Sequence, residues 1–113
     1  MNIIITKSFL ENFKKDFRKY NFSIITLVDE LKKEKLITLK IPYFKVKFKL
    51  NKISIRWVVL VNHNDFILPI YIVLKKDKKY WENLILNKDL RNLIEKLSKE
   101  IEIDLINKDF IKY

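Results

Sequence analysis

The five residues from Asn2 to Thr6 are mostly apolar and β-branched, which predicts a short strand. The pattern then turns helical. Phe9, Phe13 and Phe17 recur every four residues with Leu10 and Tyr20 flanking them, so one stripe faces a core while Lys14, Lys15, Arg18 and Lys19 meet water. Ser8 followed by Glu11 reads as a capping box that opens this helix. Asn21 or Ser23 can cap a second helix, in which Ile24, Val28 and Leu31 follow the same rule until the charged stretch Lys32 to Lys35 ends it. So short a connection predicts an antiparallel helical hairpin.

From Tyr43 the period changes to two. Phe44, Val46, Phe48 and Leu50 point one way and Lys45, Lys47 and Lys49 the other, as alternate side chains of a strand do. Asn51-Lys52 fits a two-residue hairpin turn, because Asn tolerates a left-handed backbone. Ile53 to Val61 follows as a central strand, apolar on both faces except for Ser54 and Arg56. Asn62 to Asp65 makes the next turn, and Phe66 to Leu74 returns as a third strand whose Pro69 predicts an edge or a bulge. A charged segment, Lys75 to Glu82, leads to a last helix marked by Leu90, Leu93, Ile94 and Leu97 and capped near Asn87. The tail after Ile101, residues 102–113, alternates too weakly for an assignment. The order β-α-α-β-β-β-α predicts one α+β domain over residues 1–113, with helices covering one face of an antiparallel meander.

Composition agrees with a single core: 49% of the residues are hydrophobic and 13% aromatic. Glycine is absent and the two prolines stand apart, so no stretch suits a linker. Without cysteine there is no disulfide framework and no thiolate metal site. The longest apolar run, Ile67 to Leu74, is far below the roughly 20 residues of a membrane span, and the first residues lack a signal-peptide pattern. These features predict a cytoplasmic protein without a membrane partner. The formal net charge of +10 favours polyanions. Most of it sits on lysine, however, in a chain rich in Lys, Ile and Asn and devoid of alanine, a bias that AT-rich codons also produce. Placement of the charge has to decide.

The absence of glycine excludes phosphate loops and dinucleotide fingerprints. The lone His63 falls in a polar turn, where a solvated role is expected. Glu100, Glu102 and Asp104 alternate with apolar residues and read as a solvated face, so no metal or other cofactor is expected. What remains is the lysine row on one strand, with Arg56 beside it if the register puts it on the same face. Lysines alone also suit an exposed edge that resists aggregation. Arg56 inside an apolar strand is costly unless it has a partner or a task.

The block Phe44-Lys45-Val46-Lys47-Phe48, a hairpin, then Ile55-Arg56-Trp57-Val58 resembles the RelE/ParE toxins: aromatic-Lys-aliphatic-Lys on one strand and arginine on the next. Ile72-Val73-Leu74-Lys75-Lys76-Asp77 and Glu82-Asn83-Leu84 are similar to the Lys-x-Asp and Glu-Asn-Ile ending of one branch of these toxins. The resemblance implies a RelE-like fold and the toxin of a type II toxin-antitoxin pair. The implied activity is that of a ribosome-dependent mRNA endoribonuclease, an mRNA interferase that inhibits translation by metal-free 2′-hydroxyl attack. Its implied partners are a cognate antitoxin and mRNA on the ribosome.

On this resemblance Lys45 and Lys47 carry proton transfer and charge stabilisation, and Arg56 meets the scissile phosphate. Lys75 or Lys76 makes a second phosphate contact, with Lys76 counted among the catalytic groups. Lys49, Lys78 and Lys79 hold substrate, and Tyr80 or Trp81 stacks on a base or joins the core. The chain departs from the pattern where the ribosome-dependent enzymes often carry a second arginine and it offers lysines, which lack a bidentate fork. Two other readings compete: a ParE-like gyrase inhibitor that cleaves nothing, and a basic nucleic-acid-binding module without catalysis.

Overall fold

The computed structural model describes residues 2–17, 22–40, 42–50, 52–62, 66–74 and 88–113. In chain order the elements are β1 (Asn2–Thr6), α1 (Lys7–Phe17), α2 (Ile24–Lys33), β2 (Ile37–Lys40), β3 (Tyr43–Leu50), β4 (Ile53–Asn62), β5 (Phe66–Leu74), α3 (Lys88–Ile106) and β6 (Phe110–Lys112). The protein is α+β. One six-stranded mixed sheet runs in the order β2-β3-β4-β5-β1-β6. Among the described residues the β1–β5 contact is parallel and the other pairings are antiparallel. Among the described residues no helix is long and apolar enough to cross a membrane.

The predicted phenylalanine stripe is the inner face of α1, and Phe9, Phe13 and Phe17 are all buried. Phe9 stacks on Trp57 of β4 with ring centroids 5.7 Å apart, and Phe48 of β3 meets the same indole at 6.4 Å. Trp57 is fully buried, so it marks the helix-covered side of the sheet. Leu90, Ile94 and Ile101 of α3 and Leu27, Val28 and Leu31 of α2 join the same core. Replacing a ring as large as Trp57 by alanine typically costs about 3–5 kcal/mol.

Several boundaries differ from expectation, each for a local reason. The first helix starts at Lys7, because buried Thr6 accepts a hydrogen bond from the Phe9 amide at 3.3 Å and acts as its cap. Ser8 is therefore not a cap; its own amide donates to Asp104 Oδ2 at 2.7 Å. Asp104 is buried, which corrects its assignment to a solvated face: a carboxylate from α3 meets the positive end of α1. Ser23 is the residue that caps α2, accepting from the Thr26 amide at 3.1 Å. Asn21 and Asn87 lie outside the described residues, as does the rest of 18–21 in the link between α1 and α2.

Two strands had no counterpart in the sequence reading. Ile37–Lys40 pairs with the start of β3, and the unassigned tail continues α3 to Ile106 and then forms β6 on β1. The reversal before β6 uses Lys108 in a left-handed conformation, φ 57°, and closes through Asp109 N–H donating to the Asp104 carbonyl at 2.8 Å. At the β3–β4 turn Lys52 is left-handed, φ 67°, and Asn51 lies outside the described residues. Pro69 occupies a bulge, not an edge. Val58 pairs with Tyr71 while Val59 pairs with Pro69, so β5 carries one extra residue inside the sheet, where proline's missing N–H is tolerated.

Asp104→Ala removes the carboxylate with which α3 caps the start of α1, and an unfolding midpoint in urea is expected to report a loss of about 1–2 kcal/mol. Asp109 is exposed and bonds through its backbone, so Asp109→Ala is expected to change stability by less than about 0.5 kcal/mol.

Candidate functional site

The β3–β4 register decides which side chains share a face. Val46 stands opposite Trp57 and Phe48 opposite Ile55, and these four are buried toward the helices. Alternation therefore turns their neighbours to the other face, where Lys45 stands opposite Val58, Lys47 opposite Arg56 and Lys49 opposite Ser54. One strand further on, Arg56 faces Val73 and Val58 faces Tyr71. Arg56 thus sits half-buried, between exposed Lys47 on one side and buried Val73 on the other.

The register thus puts Lys45, Lys47 and Arg56 on one face of the sheet. Burial, and after it the positive charges of Lys47 and Arg56, hold the Lys45 ammonium below its ordinary range. A shallow depression of about 230 Å³ lies between β3 and β4, lined by Lys47, Phe48, Lys49, Ser54, Ile55 and Arg56. Among the described residues no carboxylate forms an ion pair with Lys45, Lys47 or Lys49.

Edge protection explains only part of this arrangement. On the outer side of β3, strand β2 pairs with Tyr43, Phe44 and Lys45. Beyond Lys45 no strand among the described residues pairs there, so Lys47 and Lys49 can serve to shield an edge. Lys45 lies in the paired stretch and Arg56 in an interior strand, where that purpose does not apply. Placing Lys47 directly opposite Arg56 is itself unfavourable, since like charges in facing positions repel.

The other residues singled out from the sequence, Lys75, Lys76, Lys78, Lys79, Tyr80, Trp81 and His63, lie outside the described residues. Two neighbours of the site were not anticipated. Ser54 lines the depression and brings a hydroxyl to the cationic face, and Ile37, exposed, stands opposite Lys45 on β2. The β-branched pair Ile37-Thr38 between lysines was the available signal for β2. Among the described residues no three His, Asp or Glu side chains gather as a metal site would require.

No protein-family model matches this sequence, and neither a curated protein nor a solved structure gives a match.

Two stability measurements check the electrostatics. Lys47→Glu converts a facing like-charge pair into an attractive one and is expected to stabilise by about 0.2–1 kcal/mol, whereas Lys49→Glu, opposite Ser54, changes less. The folded chain holds Lys45 below its ordinary value of 10.5, so the unfolded chain binds the extra proton between the two values. Stability lost at neutral pH is then regained as pH rises toward 10.5. Lys45→Met is expected to unfold at higher urea than the wild type at pH 7, with the gap narrowing at alkaline pH.

Proposed function

We propose that the chain is the toxin of a type II toxin-antitoxin pair, a ribosome-dependent endoribonuclease that works in the cytoplasm on mRNA without a metal. The observation that supports this reading best is the gathering of Lys45, Lys47 and Arg56 on one sheet face, with the Lys45 ammonium held low by its surroundings. Such a site favours a phosphodiester over other ligands, because preorganised cations stabilise the charge that builds on phosphorus-bound oxygens.

In the proposed reaction the ribose 2′-oxygen attacks the adjacent phosphorus, and the bond to the 5′-oxygen of the next nucleotide breaks. Neutral Lys45 takes the 2′-hydroxyl proton. Lys47, as an ammonium, returns a proton to the departing 5′-oxygen, and Arg56 holds the non-bridging oxygens in its planar fork. Lys49 steadies the strand, with Lys75 or Lys76 as a second phosphate contact and Tyr80 or Trp81 as a base platform. The antitoxin is expected to be an acidic or amphipathic protein that covers the lysine face.

Induced expression of the wild-type chain is expected to stop translation in bacteria. Arg56→Ala, with an unchanged circular dichroism spectrum, is expected to lower mRNA cleavage by about 10²–10³-fold and restore growth. Equal toxicity of that variant contradicts the reading, and a DNA-damage response in place of translational arrest would favour gyrase inhibition. Because the base must be neutral to act, cleavage by the wild type is expected to rise with pH and level off below 10.5.

A further inference from the structure

The far end of the sheet carries a second surface that the cationic face does not use. Strand β6 is the last in the order, and among the described residues no strand pairs with its outer side. Its hydrogen-bond phase follows from its inner side. Ile3 and Tyr113 exchange both backbone bonds, at 3.0 and 2.7 Å, and Lys7 N–H donates to the Asp109 carbonyl at 2.9 Å. With Ile5 opposite Ile111, alternation makes Asp109, Ile111 and Tyr113 the residues whose backbone groups point at β1. Phe110 and Lys112 then present their N–H and C=O groups outward.

This outward phase is self-complementary. If β6 pairs antiparallel with a second β6 about a two-fold axis at Ile111, Phe110 of each copy stands opposite Lys112 of the other. Those two pairs exchange four hydrogen bonds. Ile111 meets its own copy in the closer, non-hydrogen-bonded position, so an isoleucine that is 53% exposed becomes covered. No lysine faces a lysine, and each Lys112 lies across from an aromatic ring. Beside Ile111 a shallow apolar groove lined by Ile5, Leu10 and Phe110 continues the surface, and Ile103 and Ile106, both exposed, lie just before the turn into β6.

Charge opposes a second copy at the lysine face more than it does here. Residues 100–113 hold four carboxylates (Glu100, Glu102, Asp104, Asp109) against two lysines (Lys108, Lys112), a net −2 within a chain of +10. Four strand spacings, about 19 Å, separate β6 from β3, more than two Debye lengths of ~8 Å in physiological salt. Two copies meeting at β6 thus keep their lysine rows out of mutual range. An acidic partner drawn by the lysine face has no electrostatic reason to choose this end. We propose that β6 pairs with β6 of a second copy, forming a symmetric dimer with one continuous sheet.

Analytical ultracentrifugation of the full chain over a range of concentrations up to about 0.5 mM tests the proposal, since a ladder this short predicts a concentration-dependent dimer. Ile111→Lys sets two ammonium groups face to face and is expected to weaken the dimer about tenfold or more. Lys112→Pro removes an outward N–H while leaving the Ile3–Tyr113 bonds, and is expected to act likewise. In the wild type, amide exchange at Phe110 and Lys112 is expected to slow as concentration rises, with Ile111 unchanged. A wild-type chain that stays monomeric throughout overturns the proposal, as does a dimer that survives both substitutions or leaves the Phe110 and Lys112 amides unaffected.

Discussion

The register between β3 and β4 is fixed by what lies on one side of it. Trp57 must face α1, where Phe9 and Phe48 pack on its ring, and Val46 must stand opposite it. A slip of one residue would carry either the indole into water or three lysine side chains into the core, and each is strongly unfavourable. The cationic face is the necessary back of that packing. Lys45, Lys47 and Arg56 share a face because the apolar residues between them share the other.

That coupling lets an unfavourable arrangement persist. Facing cations and a half-buried lysine each cost some stability, and the hydrophobic register holds them in place regardless. A low-lying lysine beside an arginine is also what proton transfer next to a phosphodiester requires, so the property that costs stability is the one that supports the proposed chemistry. The opposite end of the sheet is organised differently. There Asp104 ties α3 to the start of α1, the tight turn at Lys108 follows, and β6 is laid along β1 in a defined phase.

Much of this was legible in the sequence, and the exceptions have physical causes. The phenylalanine repeat of α1 and the strict alternation of Tyr43 to Leu50 could be read directly, because each buries one face only. The side of the sheet that Arg56 occupies was conditional on register, which a strand apolar on both faces does not reveal. β2 and β6 escaped because four and three residues are too few for a period to emerge, and their pairing is set by distant partners. Asp104 misled for a related reason: its alternation with isoleucines suggested solvent, whereas its partner, the Ser8 amide, lies 96 residues away in the chain.

The central claim is that the face bearing Lys45, Lys47 and Arg56 receives an RNA phosphodiester. It is tested most directly by nuclear magnetic resonance of the labelled chain with a short RNA whose 2′-hydroxyls are methylated to block cleavage. The account predicts that shifts gather on Lys45, Lys47, Lys49, Ser54 and Arg56, and that the Lys45 side chain titrates at a higher pH once the phosphate is bound. Perturbations confined to the helix-covered face or to β6, with Lys45 titrating as before, would contradict it.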